Sequence, residues 1–283
     1  MIVVTGASGQ LGRLVIEQLL ARVPAAQIVA AVRSPAKAAD LAARGVQVRE
    51  ADYARPATLA TAFAGARKLL LISSSEVGQR VPQHRAVIEA AKAAGVGLVA
   101  YTSILRAPTS PLGLAPEHRE TEALLAASGL PHVLLRNGWY HENYLGAVPV
   151  ALQHGVVIGA SGAGRVASAA RADYAAAAAA VLLKDDQAGR VYELAGDTAW
   201  TGADLAATIA RLSGKPVDWR NLSEADYQGA LVGAGLPEPF AALLAQCDAA
   251  AADGALIDGG HQLSALIGRP TTPLAEVLKP AVG

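Results

Sequence analysis

This sequence is short of most residues that would mark a secreted, membrane-bound or nucleic-acid-binding protein. One cysteine, Cys247, stands in 283 residues, so no disulfide can form within the chain. Lysine plus arginine and aspartate plus glutamate number 24 each, and no block of like charge breaks the balance. A global field that would attract nucleic acid or anionic lipid is thereby excluded, and neither is expected as a partner. Long apolar runs are missing as well. The longest in the C-terminal half, Tyr174 to Leu183, is half the roughly 20 residues that cross a bilayer. No basic region precedes the apolar Ile2 to Thr5, so no secretory leader is read there and a cytoplasmic location is expected. His84, His132, His141, His154 and His261 show no metal-ligand spacing, and no cysteine joins them.

What is present is a regular alternation. Apolar residues make up 52%, enough for a large core. IVVT (2–5) reads as a buried strand and 10–23 as an amphipathic helix. Strand and helix alternate again through 27–32 and Pro35 to Arg44, then 46–50 and a short helix after Pro56. The pattern continues through 68–73 and a helix from Gln79 to Ala94, then 97–103, a helix over 116–127, and 131–136. Strands joined by crossover helices imply a parallel sheet covered on both faces, an α/β doubly wound Rossmann fold. After about residue 140 the alternation loosens. VVIGASGAGRV (156–166) carries too many glycines for a plain strand, the alanine-rich 171–183 reads as a buried helix, and 190–196 as another strand. Thr201 with Asp204, and Ser223 with Asp226, open two further helices. The expected division is a cofactor lobe over 1–150, completed by segments near 155–200, and a smaller, mostly helical lobe over 201–283.

The first strand runs into GASGQLG, with Gly6, Gly9 and Gly12 at a G-x-x-G-x-x-G spacing. Gly6 lets the chain turn sharply, Gly9 leaves room for a diphosphate, and Gly12 permits close helix packing. Free N–H groups and the positive dipole end of the following helix favour phosphate. Gly6, Ala7, Ser8, Gly9, Gln10, Leu11 and Gly12 are therefore expected around a dinucleotide. At the end of the second strand, where an NAD site carries an acid, stands Arg33, with Lys37 nearby. A guanidinium forks onto a 2′-phosphate that a carboxylate would repel, so NADPH is the expected cofactor. Asp52 after the third strand is either an adenine-end contact or a helix cap. Ser73, Ser74 and Ser75 follow the fourth strand, where the cofactor ribose is expected.

These strings resemble the atypical, NmrA-like branch of the short-chain dehydrogenase/reductase superfamily. Beside TGASGQLG, Arg33 and ADY, the matches are LLLISSSEVGQR, PQHR, YTS (101–103), SPLGLA (110–115), RNGWYHENY (136–144) and LIGRPTTPLAE (266–276). Together they resemble the NADPH-dependent quinone oxidoreductases of the second type, nearly end to end. The resemblance implies a Rossmann lobe, a smaller C-terminal lobe, NADPH, and a quinone as small-molecule substrate. It also implies that Asn137, Gly138, Trp139 and Tyr140 meet the nicotinamide end, with Trp139, Tyr140, His141 and Asn143 toward substrate. Tyr101 is expected beside the cofactor, and a homodimer is common for such a fold.

Most members of this superfamily carry a Tyr-x-x-x-Lys pair that this chain lacks: four residues after Tyr101 stands Leu105, and Leu114 precedes His118 at the same spacing. The absence constrains the chemistry. An alkoxide needs a matched general acid, whereas a hydroquinone anion has the basicity of a tyrosinate and water can protonate it. His118, with Glu122 one turn on to set its tautomer, is the one candidate for a proton-handling group. Hydride transfer from NADPH to a quinone without flavin is the expected activity. The alternative is an NADP(H)-binding redox sensor without catalysis.

Overall fold

The computed structural model describes residues 1–283. Two compact units emerge, one formed by Met1–Ala107, Pro116–Asn137 and Arg171–Glu193, the other by Pro108–Ala115, Gly138–Ala170 and Leu194–Gly283. The first unit is interrupted over Pro108–Ala115 and left again after Asn137 rather than 150, and 138–170 group with the C-terminal residues.

The first unit holds β1 (Ile2–Thr5), α1 (Gln10–Leu20), β2 (Ile28–Val32), α2 (Ala39–Ala43), β3 (Gln47–Glu50), α3 (Pro56–Ala62) and β4 (Lys68–Leu71). It continues with α4 (Arg80–Ala93), β5 (Leu98–Ile104), α5 (Ala115–Ser128) and β6 (His132–Asn137), and adds α7 (Arg171–Leu183) and β8 (Val191–Leu194), numbering all elements in chain order. The sheet runs β3-β2-β1-β4-β5-β6-β8. Pairings from β3 to β6 are parallel. Leu134 donates to the Arg190 carbonyl and Gly138 to that of Leu194, so register advances the same way on β6 and β8 and the seventh strand is parallel too. All five residues of β2 and all seven of β5 are buried, as expected for strands covered on both faces. Strand order reverses at the β1/β4 neighbours, and a crevice opens outside the carboxyl ends of strands at such a point.

Two local readings are corrected. Pro35 to Arg44 is not one helix: Pro35–Ala38 forms a 3₁₀ turn before α2. The carbonyl of Lys37 is taken by the Arg13 guanidinium instead of a helical N–H. And 156–166 does begin with a strand, β7 (Val156–Gly159), paired in parallel with β9 (Asp218–Asn221). Its glycine serves a neighbour. A Cβ on Gly159 would meet the Trp219 ring at 2.5 Å, and one on Gly202 would meet it at 2.4 Å. The indole lies between two positions that only glycine can occupy without a shift.

Around β7 and β9 the second unit gathers α6 (Ala147–His154), α8 (Gly202–Ser213), α9 (Glu224–Gly233), α10 (Glu238–Ala250), α11 (Gln262–Ile267) and α12 (Leu274–Val282). Thr201 and Asp204 form a reciprocal capping box on α8, and the Ser223 hydroxyl accepts the Asp226 N–H on α9. The alanine tract lies in α7 of the first unit, packed on α1. Ala175 to Ala179 are buried, and side chains no larger than a methyl let the two helices approach closely.

Candidate functional site

The three glycines of the first loop have different duties. Gly6 sits at φ +58°, a left-handed turn that side chains resist. A Cβ on Gly12 would lie 2.4 Å from the Gly6 carbonyl oxygen and 2.7 Å from the Ala7 Cα, so this glycine lets α1 close on the loop that precedes it. Gly9 differs: its backbone is extended, and a Cβ there meets only the Gly6 oxygen, at 3.1 Å. Gly9 is the N-cap of α1, with no side-chain cap and no acid in the first turn. The helix thus presents uncapped N–H groups and its positive dipole end to the space in front of it.

That space is a crevice of about 310 Å³ contained in the first unit. It is lined by Gly6, Ser8, Gly9, Gln10, Leu11 and Gly12 from the loop, Arg33 beyond β2, Asp52 beyond β3, and Ser73, Ser74 and Ser75 beyond β4. Ala7 is buried beneath it and donates to the Ala31 carbonyl. Arg33 pairs with Glu76 at 2.8 Å, and the second Glu76 oxygen accepts from Gln83 at 2.7 Å. Asp52 accepts the Ala54 N–H at 3.0 Å and pairs with Arg55 at 3.0 Å, so its carboxylate shapes the loop while facing the crevice. Lys37 does not line it.

Sequence reasoning missed Tyr53, Glu76 and Gln83, which also line the crevice. The hydroxyl of Tyr53 donates to the Ile72 carbonyl at 3.0 Å and lies 2.5 Å from Thr5 Oγ1, tying the loop after β3 to the ends of β1 and β4. Glu76 was within reach: it directly follows the three serines.

Tyr101 and His118 lie elsewhere. Tyr101 is completely buried in the core, and its hydroxyl shares a 2.7 Å hydrogen bond with His118 Nδ1. Glu122 does not touch His118. It binds Arg136 through both oxygens, at 2.9 and 2.6 Å, and accepts from Ser103 at 2.5 Å, while Arg136 reaches Glu193 at 2.8 Å. This network fixes the end of β6. Beside it, His84 donates from Nδ1 to Thr121, whose own proton goes to the Glu117 carbonyl, and accepts the Ser74 N–H on Nε2. Burial, and then the nearby Arg80 charge, push both His84 and His118 down to about 3. Both are neutral at physiological pH, so His118 is not the imidazolium that a general acid would need.

The sign of the linkage follows. Unfolded histidine takes a proton near 6.5, whereas the folded pair resists it to about 3. The stability that each neutral ring supports is complete above 6.5 and is lost as pH falls toward 3. At about pH 5 each histidine should cost about 2 kcal/mol of stability relative to neutral pH. Denaturant unfolding of wild type and His118→Gln at both pH values checks this: the variant should lose about 2 kcal/mol less on acidification. An equal loss would disprove the assignment.

At the end of β6, the buried side-chain oxygen of Asn137 has no hydrogen-bond partner. In the second unit, Gly138 donates to the Leu194 carbonyl, and Tyr140 forms an isolated bridge with Ala169. His141 is spoken for on both nitrogens: Nε2 donates to the Thr272 carbonyl at 3.0 Å, and Nδ1 accepts from Ser168 at 2.7 Å. Trp139 and Asn143 line an apolar cavity contained in the second unit.

A doubly wound sheet with a glycine loop, an uncapped helix end and a crevice at the switch point defines a dinucleotide-binding protein. The NAD(P)H-binding family profile matches residues 6–185, and the chain belongs to that family. Over 276 residues, 98% of this chain and 96% of the relative, it is 62% identical to Quinone oxidoreductase 2 of Escherichia coli (strain K12). The crystal structure of the NADPH-dependent quinone oxidoreductase QOR2 from Escherichia coli complexed with NADPH superposes with a TM-score of 0.97, at 60% identity and 100% coverage of both chains. Citrobacter sp. triphenylmethane reductase complexed with NADP(H) superposes with a TM-score of 0.95, at 39% identity, covering 99% of this chain and 100% of that one.

Proposed function

We propose that this chain is an NADPH-dependent quinone oxidoreductase that transfers hydride directly to its acceptor, without flavin. The observation that carries the reading is the crevice of the first unit, where an uncapped helix end and the Arg33 guanidinium offer two separate anion sites. The near-full-length identity to a quinone oxidoreductase supports the acceptor and weighs against a sensor without catalysis.

NADPH supplies the hydride. Gly6, Ser8, Gly9, Gln10, Leu11 and Gly12 would cradle its diphosphate, Arg33 would fork onto its 2′-phosphate, and Ser73 to Ser75 would follow its ribose. The unpaired buried oxygen of Asn137 suits the amide donor of a nicotinamide carboxamide. Ala7 and Tyr101 act behind these groups, as packing and as a rigid floor. On the acceptor side we retain Trp139, Tyr140 and Asn143, and read His141 as their buttress because both its nitrogens are occupied. No acid is required. The nascent hydroquinone anion is a phenolate that water protonates, so binding and face-to-face orientation supply the catalysis. We read the cytoplasm as its location, since an enzyme that draws on NADPH works where that reductant is maintained.

The test is steady-state oxidation of NADPH with and without 1,4-benzoquinone. We expect quinone-dependent turnover, stronger with NADPH than with NADH. Tight NADPH binding with no turnover would move the assignment to the sensor.

A further inference from the structure

All three tryptophans of the chain, Trp139, Trp200 and Trp219, line one cavity of about 330 Å³ inside the second unit. Tyr144 and Tyr227 join them, and the remaining wall is largely aliphatic. Close-packed interiors leave few voids larger than a water, and ligand pockets begin at roughly 300 Å³. Water gains little in an apolar chamber. This space is of a size and lining for an organic ligand.

Its polarity is one-sided. Asp248 is the only charged residue in the lining, and no lysine, arginine or histidine pairs with it. Its Oδ2 accepts the Ala160 N–H and lies 2.7 Å from where a Cβ on Gly159 would be, a point the Trp219 ring approaches to 2.5 Å. The titratable groups facing it are Tyr144, Tyr227 and Cys247, and burial raises all three, the last two to about 12, so they stay neutral. The indole N–H of Trp200 is spent on Ser168, and Tyr144 packs edge-on to that ring at 4.6 Å. Aromatic faces carry negative quadrupole, and a carboxylate without a cation is costly to bury. Every group that characterises this cavity is therefore complementary to positive charge on an apolar body.

The geometry points to a binding site within the second unit for a flat, delocalised aromatic cation, with the Asp248 carboxylate as its counter-charge. The cavity shares Trp139 and Asn143 with the acceptor side proposed above, but the Asp248 assignment is read by binding alone, without NADPH or quinone turnover.

Two probes of the same outline separate shape from charge: N-methylacridinium, a permanent cation, and acridine, neutral at about pH 8. The readout is quenching of tryptophan fluorescence in the full chain. Wild type should bind the cation about tenfold tighter than acridine. Asp248→Asn keeps an oxygen to accept the Ala160 N–H, and should bring the two probes to equal affinity. Ala230→Phe fills the cavity from α9 and should weaken both by about tenfold or more. Acidification should weaken N-methylacridinium, whose charge is fixed, starting above the ordinary carboxylate range, because burial raises Asp248 even though the Ala160 and Ser161 N–H groups hold it back. Equal affinity of both probes in wild type, or a preference for the cation that survives Asp248→Asn, would overturn the role of charge. Absence of saturable quenching in wild type, or quenching untouched by Ala230→Phe, would overturn the site itself.

Discussion

Arg33→Ala should lower the affinity for NADPH about a hundredfold and leave NADH binding nearly unchanged. A bidentate guanidinium–phosphate contact is the strong kind of hydrogen bond, and its loss with a charged partner costs about 2–3 kcal/mol. The surroundings sharpen the effect. Arg33 holds Glu76 at 2.8 Å on the crevice wall, with the guanidinium largely exposed. Removing the arginine deletes the fork and leaves the Glu76 carboxylate facing the 2′-phosphate. NADH has no phosphate there to repel. Fluorescence titration with both dinucleotides, or the ratio of their kcat/KM values, checks this. Equal weakening of the two would mean that Arg33 reads no phosphate.

A larger effect is expected from Gly9→Val: loss of NADPH binding by at least about a thousandfold, with the fold retained. At φ −76° and ψ 169° the Gly9 backbone suits any residue, and its Cβ needs the Gly6 oxygen to yield only a few tenths of an ångström. The rest of the side chain would occupy the space in front of α1, where the diphosphate must touch backbone N–H groups. Gly12→Ala is the instructive contrast. Its Cβ would collide with the Gly6 oxygen and the Ala7 Cα, so it should damage the fold itself. A thermal melt with circular dichroism separates the two variants. A Gly9→Val protein that binds NADPH normally would remove the diphosphate from this loop.

Much of the first unit was readable from local pattern. The switch between strand and helix periodicity placed β1 to β6 within a residue or two, because parallel strands buried on both faces are apolar throughout. GASGQLG signalled a turning loop in which Gly6 and Gly12 have steric reasons in the fold itself, and Arg33 stood where a charge is exposed at a strand end. The helix caps at Thr201 and Ser223 were legible for the same reason: the interacting residues are three apart.

Contacts between residues distant in sequence were not legible. Helix spacing paired His118 with Glu122, but a carboxylate chooses the strongest donor in reach, and β6 brings it Arg136. Tyr101 stood at the end of a strand, yet its side chain points into the core, where His118 satisfies it. His141 looked available until Ser168 and Thr272, residues far along the chain, occupied both nitrogens. The sequence by itself determined the alternating fold and pointed to the glycine loop and Arg33 as the proposed dinucleotide contacts, since periodicity, backbone sterics and local charge act over a few residues. Only the tertiary structure decided which histidines are silenced, and that three tryptophans 61 and 19 residues apart share a chamber with one carboxylate. Burial and partner choice depend on what the folded chain brings near, and no local pattern encodes that.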